Sequence, residues 1–300
     1  MAEGIDLNLA QTAILRIAVV AMMVSLGLRV SLGAILASGR RWRTFGTTLV
    51  LALIVVPLSG WLAVRVLGIP APVAAGIVLV ACAPGGSLGP KLVDLADGDV
   101  ALALALFFTL AVIAPVSLPI TAALLSGADL GALRIDVGSV LLTLVAIQLL
   151  PLLLATLFMR SAPGRAADLG ETTTRLTTLL LFGLIGVAVI NNLPQVIAVG
   201  PAGVLALGCV AVVPLVLGLL LGRDEPRAGR TVALVTGQRS TTLGLLISTT
   251  AAGPAATGAV IAGGLVLLVV NPLAAVLLAR RRPLSGLRAT ADAPAGAAPG

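Results

Sequence analysis

The sequence has no histidine and no tyrosine, and only two cysteines in 300 residues. Without imidazole, no side chain is set by its ordinary pKa to relay protons near neutral pH, and most transition-metal chemistry is excluded. Without tyrosine, the aromatic belt of a membrane protein loses one of its two usual members. Cys82 and Cys209 both lie in apolar segments, where they read as small core hydrophobes and not as a disulfide framework. Charge is scarce as well. Only 10% of residues are charged while 59% are hydrophobic, a balance that excludes an ordinary soluble domain. The net charge of +7 does not point to nucleic acid, because the basic residues lie between apolar segments, where they orient a chain in a bilayer.

What the sequence does have is long apolar runs. A bilayer crossing takes about 17 to 25 mainly apolar residues. Nine runs qualify: 12–28, 44–67, 71–96, 99–125, 137–159, 172–190, 202–221, 231–250 and 255–279. Residues 1–11 carry Glu3 and Asp6 in place of a basic region, so the first run reads as a retained helix and not a cleaved signal. Residues 191–195 read as an outer loop, because Pro194 ends the sixth helix. Residues 283–300 are rich in Ala, Pro and Gly and read as a disordered tail.

Arginine fixes the expected orientation. Arg29, Arg40, Arg41 and Arg43 follow the first run, and Arg160, Arg165 and Arg175 lie between the fifth and sixth. Arg223, Arg227 and Arg230 separate the seventh and eighth, and Arg280, Arg281, Arg282 and Arg288 follow the ninth. The alternate loops hold only Arg65 and Arg134. The positive-inside rule then puts the N-terminus outside and the C-terminus in the cytoplasm.

Two of the nine runs are broken. Ala83-Pro84-Gly85-Gly86-Ser87-Leu88-Gly89-Pro90-Lys91 interrupts the third, and Thr236-Gly237-Gln238-Arg239-Ser240-Thr241-Thr242 interrupts the eighth. Each is followed by a helix with an internal proline, Pro115 in the fourth and Pro272, after Asn271, in the ninth. An offset of five helices inverts one unit relative to the other and leaves the fifth helix without a counterpart. Broken backbone survives in a membrane only inside protein or beside a watery cavity. Broken helices at corresponding positions of inverted repeats point to the binding site of a secondary transporter.

The residues at the breaks carry a resemblance. Ala83-Pro84-Gly85-Gly86-Ser87, then Gly98-Asp99-Val100-Ala101-Leu102, then Ala114-Pro115, resemble the bile acid:sodium symporter family, whose pattern is Cys-Pro-Gly-Gly-Thr, Gly-Asp-x-x-Leu and a later proline. Ser25-Leu26-Gly27-Leu28 is similar to its Met-Gly-Leu signature, and Thr236-Gly237 to the middle of its Glu-Thr-Gly-x-Gln-Asn. Asn271 falls where the family has an asparagine in its last helix. The resemblance implies a core domain of two crossed broken helices beside a panel domain, and sodium-driven movement of organic anions.

The departures are as informative. Aligned through Thr236-Gly237, the family's sodium-binding Glu falls on Val235, its Gln on Arg239 and its Asn on Ser240. The Ser-Asn pair of the first break falls on Gly89-Pro90, and the hydroxyl residues of the next helix fall around Ala103 and Phe107. Hard cations need several oxygen ligands, which Val, Ala and Phe cannot supply. Sodium ligands implied by the resemblance are thus missing, and Arg239 brings a fixed positive charge to the same place. Arg is always protonated and offers paired donors to an anion.

The sequence therefore leads us to expect an all-α polytopic membrane protein of about nine transmembrane helices, with an inverted repeat and two crossed discontinuous helices. One transporter domain would span 1–282, with 71–125 and 231–282 as core halves and 12–67 and 137–221 mainly as panel. It would carry a small organic anion by alternating access, without sodium and without other cofactors or metals, in a bacterial plasma membrane. Expected substrate contacts are Ser87, Gly89, Gln238, Arg239, Ser240, Thr241 and Asn271. Pro84, Gly85, Gly86, Pro90, Gly237, Pro115 and Pro272 are expected to form breaks and hinges.

Several residues keep two readings. Arg239 reads as the anion contact or as a structural group paired to backbone carbonyls. Ser87 and Ser240 read as site hydroxyls or as partners of freed backbone. Asn271 reads as a substrate contact or as a cap on the carbonyl that Pro272 orphans. Lys91, Asp94, Asp97 and Asp99 read as an interfacial charge cluster, more than as proton carriers. The alternatives for the whole chain are a sodium- or proton-coupled symporter of the same type and, in another class, an anion-sensing receptor. The segments hold no arrangement of His, paired acids or metal ligands from which an intramembrane enzyme would be built. The substrate, the exchange partner and the oligomeric state are not written in the sequence.

Overall fold

A computed structural model describes residues 7–30, 41–86, 88–126 and 136–280. Among these, every regular element is helical. Helix α1 is Leu7–Arg29 and α2 is Trp42–Val66. The third apolar run divides into α3 (Ala71–Cys82) and α4 (Gly89–Leu95), followed by α5 (Val100–Ser126). Helices α6 (Val137–Ser161) and α7 (Pro163–Asn191) come next, then the short α8 (Leu193–Ile197) and α9 (Gly200–Leu221). The eighth run divides into α10 (Pro226–Gly237) and α11 (Thr241–Ala251), and α12 is Gly253–Arg280. The nine expected runs thus correspond to seven continuous helices and two broken pairs, with six of the continuous helices long and apolar enough to cross a membrane by length and composition. Side chains such as Ile190, 76% exposed, would be costly in water and are at home against lipid. This is an all-α polytopic membrane protein.

Several boundaries depart from those read off the sequence. The first break is narrower than 83–91, because helix resumes at Gly89. Pro90 is tolerated in the first turn of α4, where its missing N–H is not needed. The second break leaves only Gln238, Arg239 and Ser240 outside helix. There the Ser240 side chain accepts from Leu243 N and starts α11 one residue later. Helix α7 begins at Pro163 instead of Thr172, so Arg165 and Arg175 lie within it and only Ala162 separates it from α6. Polar residues forbid a membrane core but not a helix beyond it. Residues 191–195 likewise do not form an open loop. Pro194 sits in the first turn of α8, which starts after a single non-helical residue, Asn192. The proposed tail, 283–300, lies outside the described residues.

Glycine sets the closest approaches. A Cβ on Gly76 would lie 2.2 Å from Ala256 O, so α3 and α12 meet backbone to backbone. A Cβ on Gly27 of α1 would lie 2.6 Å from Leu152 O of α6. Gly263 faces Val80 and Leu207, and Gly264 faces Thr241, as small residues do where membrane helices touch. Helices α1, α6 and α7 pack together along one side, while α2 and α9 lie directly on the broken helices.

Candidate functional site

The two breaks meet. Pro84 and Arg239 face each other in an antiparallel bridge, flanked by Gly85 N–H donating to Gln238 O at 3.2 Å and Ser240 N–H donating to Ala83 O at 2.9 Å. In this pairing the central residues exchange no hydrogen bond, so the N–H that Pro84 lacks is never needed. Gly85 has φ +100°, a backbone shape that side chains disfavour. Gly86 lies under the Gln238 side chain, whose Cγ would be 2.5 Å from an added Cβ.

Arg239 is 3% exposed and donates to two main-chain carbonyls. Nη2 donates to Thr236 O at 2.9 Å, at the C-terminal turn of α10, where carbonyls lack helical partners and cations are favoured. Nη1 donates to Ala52 O at 2.9 Å, on α2. That carbonyl is available for a specific reason. Residues Leu51–Val55 make a π-helical turn in which Val56 N–H donates to Leu51 O, one residue further back than in an α-helix. The next donor along belongs to residue 57, a proline. Ala52 O is left over, and the guanidinium takes it. Nε has no partner.

Asn271 is fully buried and joins the same group. Its Nδ2 donates to Gly237 O at 3.2 Å and to Gln238 Oε1 at 2.8 Å, so it serves the crossing and not the carbonyl of Leu268 that Pro272 orphans. Pro115 acts elsewhere. It deprives Ala111 O of its helical donor, and Gln148 Nε2 of α6 supplies one at 2.9 Å. Ser240 is used by the bridge and by the start of α11, while Thr241 packs its methyl against Gly264. Ser87 lies outside the described residues.

Of the positions where the resemblance would place sodium ligands, Val235, Gly89, Pro90, Ala103 and Phe107 have no side-chain oxygen, and the Ser240 hydroxyl is engaged at the start of α11. Ala103, Phe107 and Val235 belong to one apolar cluster with Ala52. The Phe107 ring stands where a side chain at 89 would go, with Cζ 1.9 Å from a Cβ added to Gly89. These residues do not fit a sodium ion.

Two small cavities of about 40 Å³ each flank the crossing. One is lined by Gly86, Gln238, Arg239 and Thr241, among others. The other lies between the first break and helices α1, α5, α6 and α7, and takes in Ser25, Arg29, Gln148, Thr174 and Thr177. Ser25 and Thr174 hydroxyls bond each other across it at 2.7 Å. Sequence reading had not singled out this hydroxyl-bearing face of α7. Its signal was the run Thr172-Thr173-Thr174 and Thr177-Thr178, dense for a membrane helix.

Of the residues read as one charge cluster, Asp94, Asp97 and Asp99 line one surface recess, while Lys91 reaches α7. Lys91 Nζ donates to Thr178 Oγ1 at 3.4 Å, joining α4 to α7. Asp99 caps α5 by accepting from Leu102 N–H and pairs with Arg41 at 3.2 Å. Asp97 pairs with Arg227 at 3.2 Å and Arg230 at 3.6 Å. Asp94 is exposed beside them, lining a surface recess. These pairs gather the start of α2, the α4–α5 link and the α9–α10 link at one end of the molecule.

A profile described as the Sodium Bile acid symporter family matches residues 16–199. The chain is 24% identical over 197 residues to the probable sodium/metabolite cotransporter BASS1, chloroplastic, of Oryza sativa subsp. japonica, covering 65% of this chain and 48% of that protein. It is 24% identical over 231 residues to the corresponding BASS2 of the same plant, covering 76% and 54%. The Arabidopsis thaliana BASS1 gives 24% over 198 residues, or 65% and 49%. The chain spans about half the length of these curated relatives. The profile match ends before α10, so the break that carries Arg239 lies outside it.

Proposed function

This chain belongs to the Sodium Bile acid symporter family, and from that premise we propose that it carries a small organic anion across the membrane by alternating access at the crossed breaks. We further propose that it does so without sodium, with the Arg239 guanidinium standing in for the ion. The single observation behind this reading is the pair of bonds from Arg239 to Ala52 O and Thr236 O. Two carbonyl oxygens converging on a buried point are what a hard cation would use. Here a tethered cation uses them instead, and the charge it brings favours an anion nearby without a dissociable partner. Nε of Arg239 remains for that anion. The apolar contact of Phe107 with Gly89 supports the same reading, since it fills the other ligand position.

In this proposal the crossing holds the substrate between half-helices, the end bearing Arg41, Asp99 and Arg227 faces the cytoplasm, and the protein resides in a plasma membrane. Coupling to sodium remains the second reading, favoured by the names of the plant relatives, which are described as sodium/metabolite cotransporters. Uptake of radiolabelled organic anions into proteoliposomes, with and without a sodium gradient, separates the two. Uptake indifferent to sodium in wild type, and lost in Arg239→Ala, is expected. Sodium-driven uptake that persists in Arg239→Ala would overturn the proposal, and binding without uptake or counterflow would favour a receptor.

A further inference from the structure

Two buried polar atoms without partners line the same cavity, beside the first break. Gln148 is 1% exposed and Thr177 is 3% exposed, and neither Gln148 Oε1 nor Thr177 Oγ1 has a hydrogen bond. Buried polar atoms left unpaired cost about 1–3 kcal/mol each, so an unpaired pair in one cavity calls for a ligand or water.

The chemistry of this pair is constrained. Gln148 Nε2 donates to Ala111 O, the carbonyl that Pro115 leaves without a donor. Exchanging amide N and O would set Oε1 against Ala111 O, two acceptors together, so the orientation is fixed and the free atom is an acceptor. Thr177 is set apart from its neighbours on α7. The hydroxyls of Thr173, Thr174 and Thr178 each donate to the carbonyl four residues back, and that of Thr177 does not. The same cavity reaches Arg29, the last residue of α1. Seven residues of helix separate Met22 from Arg29, so the cavity runs about 10 Å along α1. Met22, Leu104 and Phe107 supply its apolar wall.

We propose that this cavity selects an anion that also carries a hydrogen-bond donor, a hydroxy-carboxylate or an N-acylated amino acid. Arg29 takes the negative charge, and Gln148 Oε1 with Thr177 takes the O–H or N–H. Oxo-carboxylates, which carry acceptors only, leave Gln148 Oε1 unpaired. This inference rests on the transport reading above and names the substrate class on the α1 and α7 side of the crossing, opposite the cavity that Arg239 lines. At about 40 Å³ the cavity has room for roughly three waters, so an organic acid enters only as α1 and α7 draw back from the break.

The test is equilibrium binding to the purified full chain in nanodiscs, with 2-hydroxy-3-methylbutanoate and 2-oxo-3-methylbutanoate as a matched pair and N-acetylvaline as a second donor-bearing probe. Wild type should bind the hydroxy acid at least about tenfold more tightly than the oxo acid, the factor that one neutral hydrogen bond supplies. Thr177→Val removes a hydroxyl that can donate to either acid and leaves the Gln148 Oε1 acceptor in place, so it should weaken both acids and keep the preference. Arg29→Gln should weaken both acids by about tenfold or more. Gln148→Met is made together with Pro115→Ala, which returns a donor to Ala111 O and protects the fold; it removes the acceptor and should abolish the preference. Equal affinity for the pair, binding of neither acid, or a preference that survives Gln148→Met in the Pro115→Ala background overturns the inference, and ordered water is then the occupant. Uptake of carboxylates without hydroxy preference would sink this inference and leave transport standing. Preferential binding with no uptake or counterflow would do the reverse.

Discussion

Arg239 and Ala52 are 187 residues apart in sequence and are joined by a 2.9 Å hydrogen bond from Nη1 to the main-chain carbonyl. The bond exists because two local irregularities in α2, a π-helical turn and Pro57, leave that one carbonyl unclaimed. A side chain from the second break thus completes the backbone of a helix in the other half of the chain.

Removing that side chain should destabilise the protein. Arg239→Ala leaves Ala52 O and Thr236 O buried without donors, at about 1–3 kcal/mol each, partly offset by no longer burying a charge. Thermal unfolding in detergent should show a clearly lower midpoint. Millimolar guanidinium should raise the midpoint of the variant and not that of wild type, whereas potassium at the same ionic strength should not. A variant as stable as wild type would mean that the two bonds contribute nothing.

Gln148 and Pro115 should behave as a coupled pair. Gln148→Leu orphans Ala111 O and should cost about 1–3 kcal/mol. In a Pro115→Ala background the restored N–H serves the same carbonyl, and the cost should fall by about 1 kcal/mol or more. A double-mutant cycle on unfolding free energies reads this directly, and additivity would refute it.

Gly89 should resist even a methyl group. Gly89→Ala drives a Cβ into the Phe107 ring and should cost about 1–3 kcal/mol by overpacking. Phe107→Ala should relieve most of that added cost in the double variant. If Gly89→Ala is neutral in wild type, the ring moves aside freely and does not fill the position.

Asn271 should be required as a donor. Its Nδ2 serves Gly237 O and Gln238 Oε1, both acceptors. Asn271→Asp places a third acceptor among them and should lower the unfolding midpoint more than Asn271→Ala, although aspartate is closer in shape. The reverse order would show that size, and not the amide hydrogen, is what matters there.

Much of this architecture was legible because a membrane imposes a simple grammar. Length and hydropathy located the apolar helices, and Pro84-Gly85-Gly86 and Gly237 marked the breaks. Where helices ended was less legible. Pro90 and Pro194 looked like terminators and proved to be first-turn residues, since proline reads alike at either end of a break until the following turn is seen. The surroundings of Arg239 were beyond reach for a different reason. Ala52 is an unremarkable apolar residue, and its carbonyl is freed by a backbone irregularity with no side-chain signature beyond Pro57. Gln148 was visible as a polar residue in an apolar run, but the need it meets arises on another helix, at Pro115. Thr177 is distinguished only by a bond it fails to make.

The bridge between Pro84 and Arg239 has a kinematic consequence. Two main-chain bonds pin the breaks together, and Arg239 and Asn271 rivet α2 and α12 to the same point. In the proposed transport cycle, half-helices fastened in this way are expected to travel as one body. The proposed motion then falls to the seam along α1 and α7, which is held by a hydroxyl pair and a long lysine reaching for Thr178 and has a cavity between its walls.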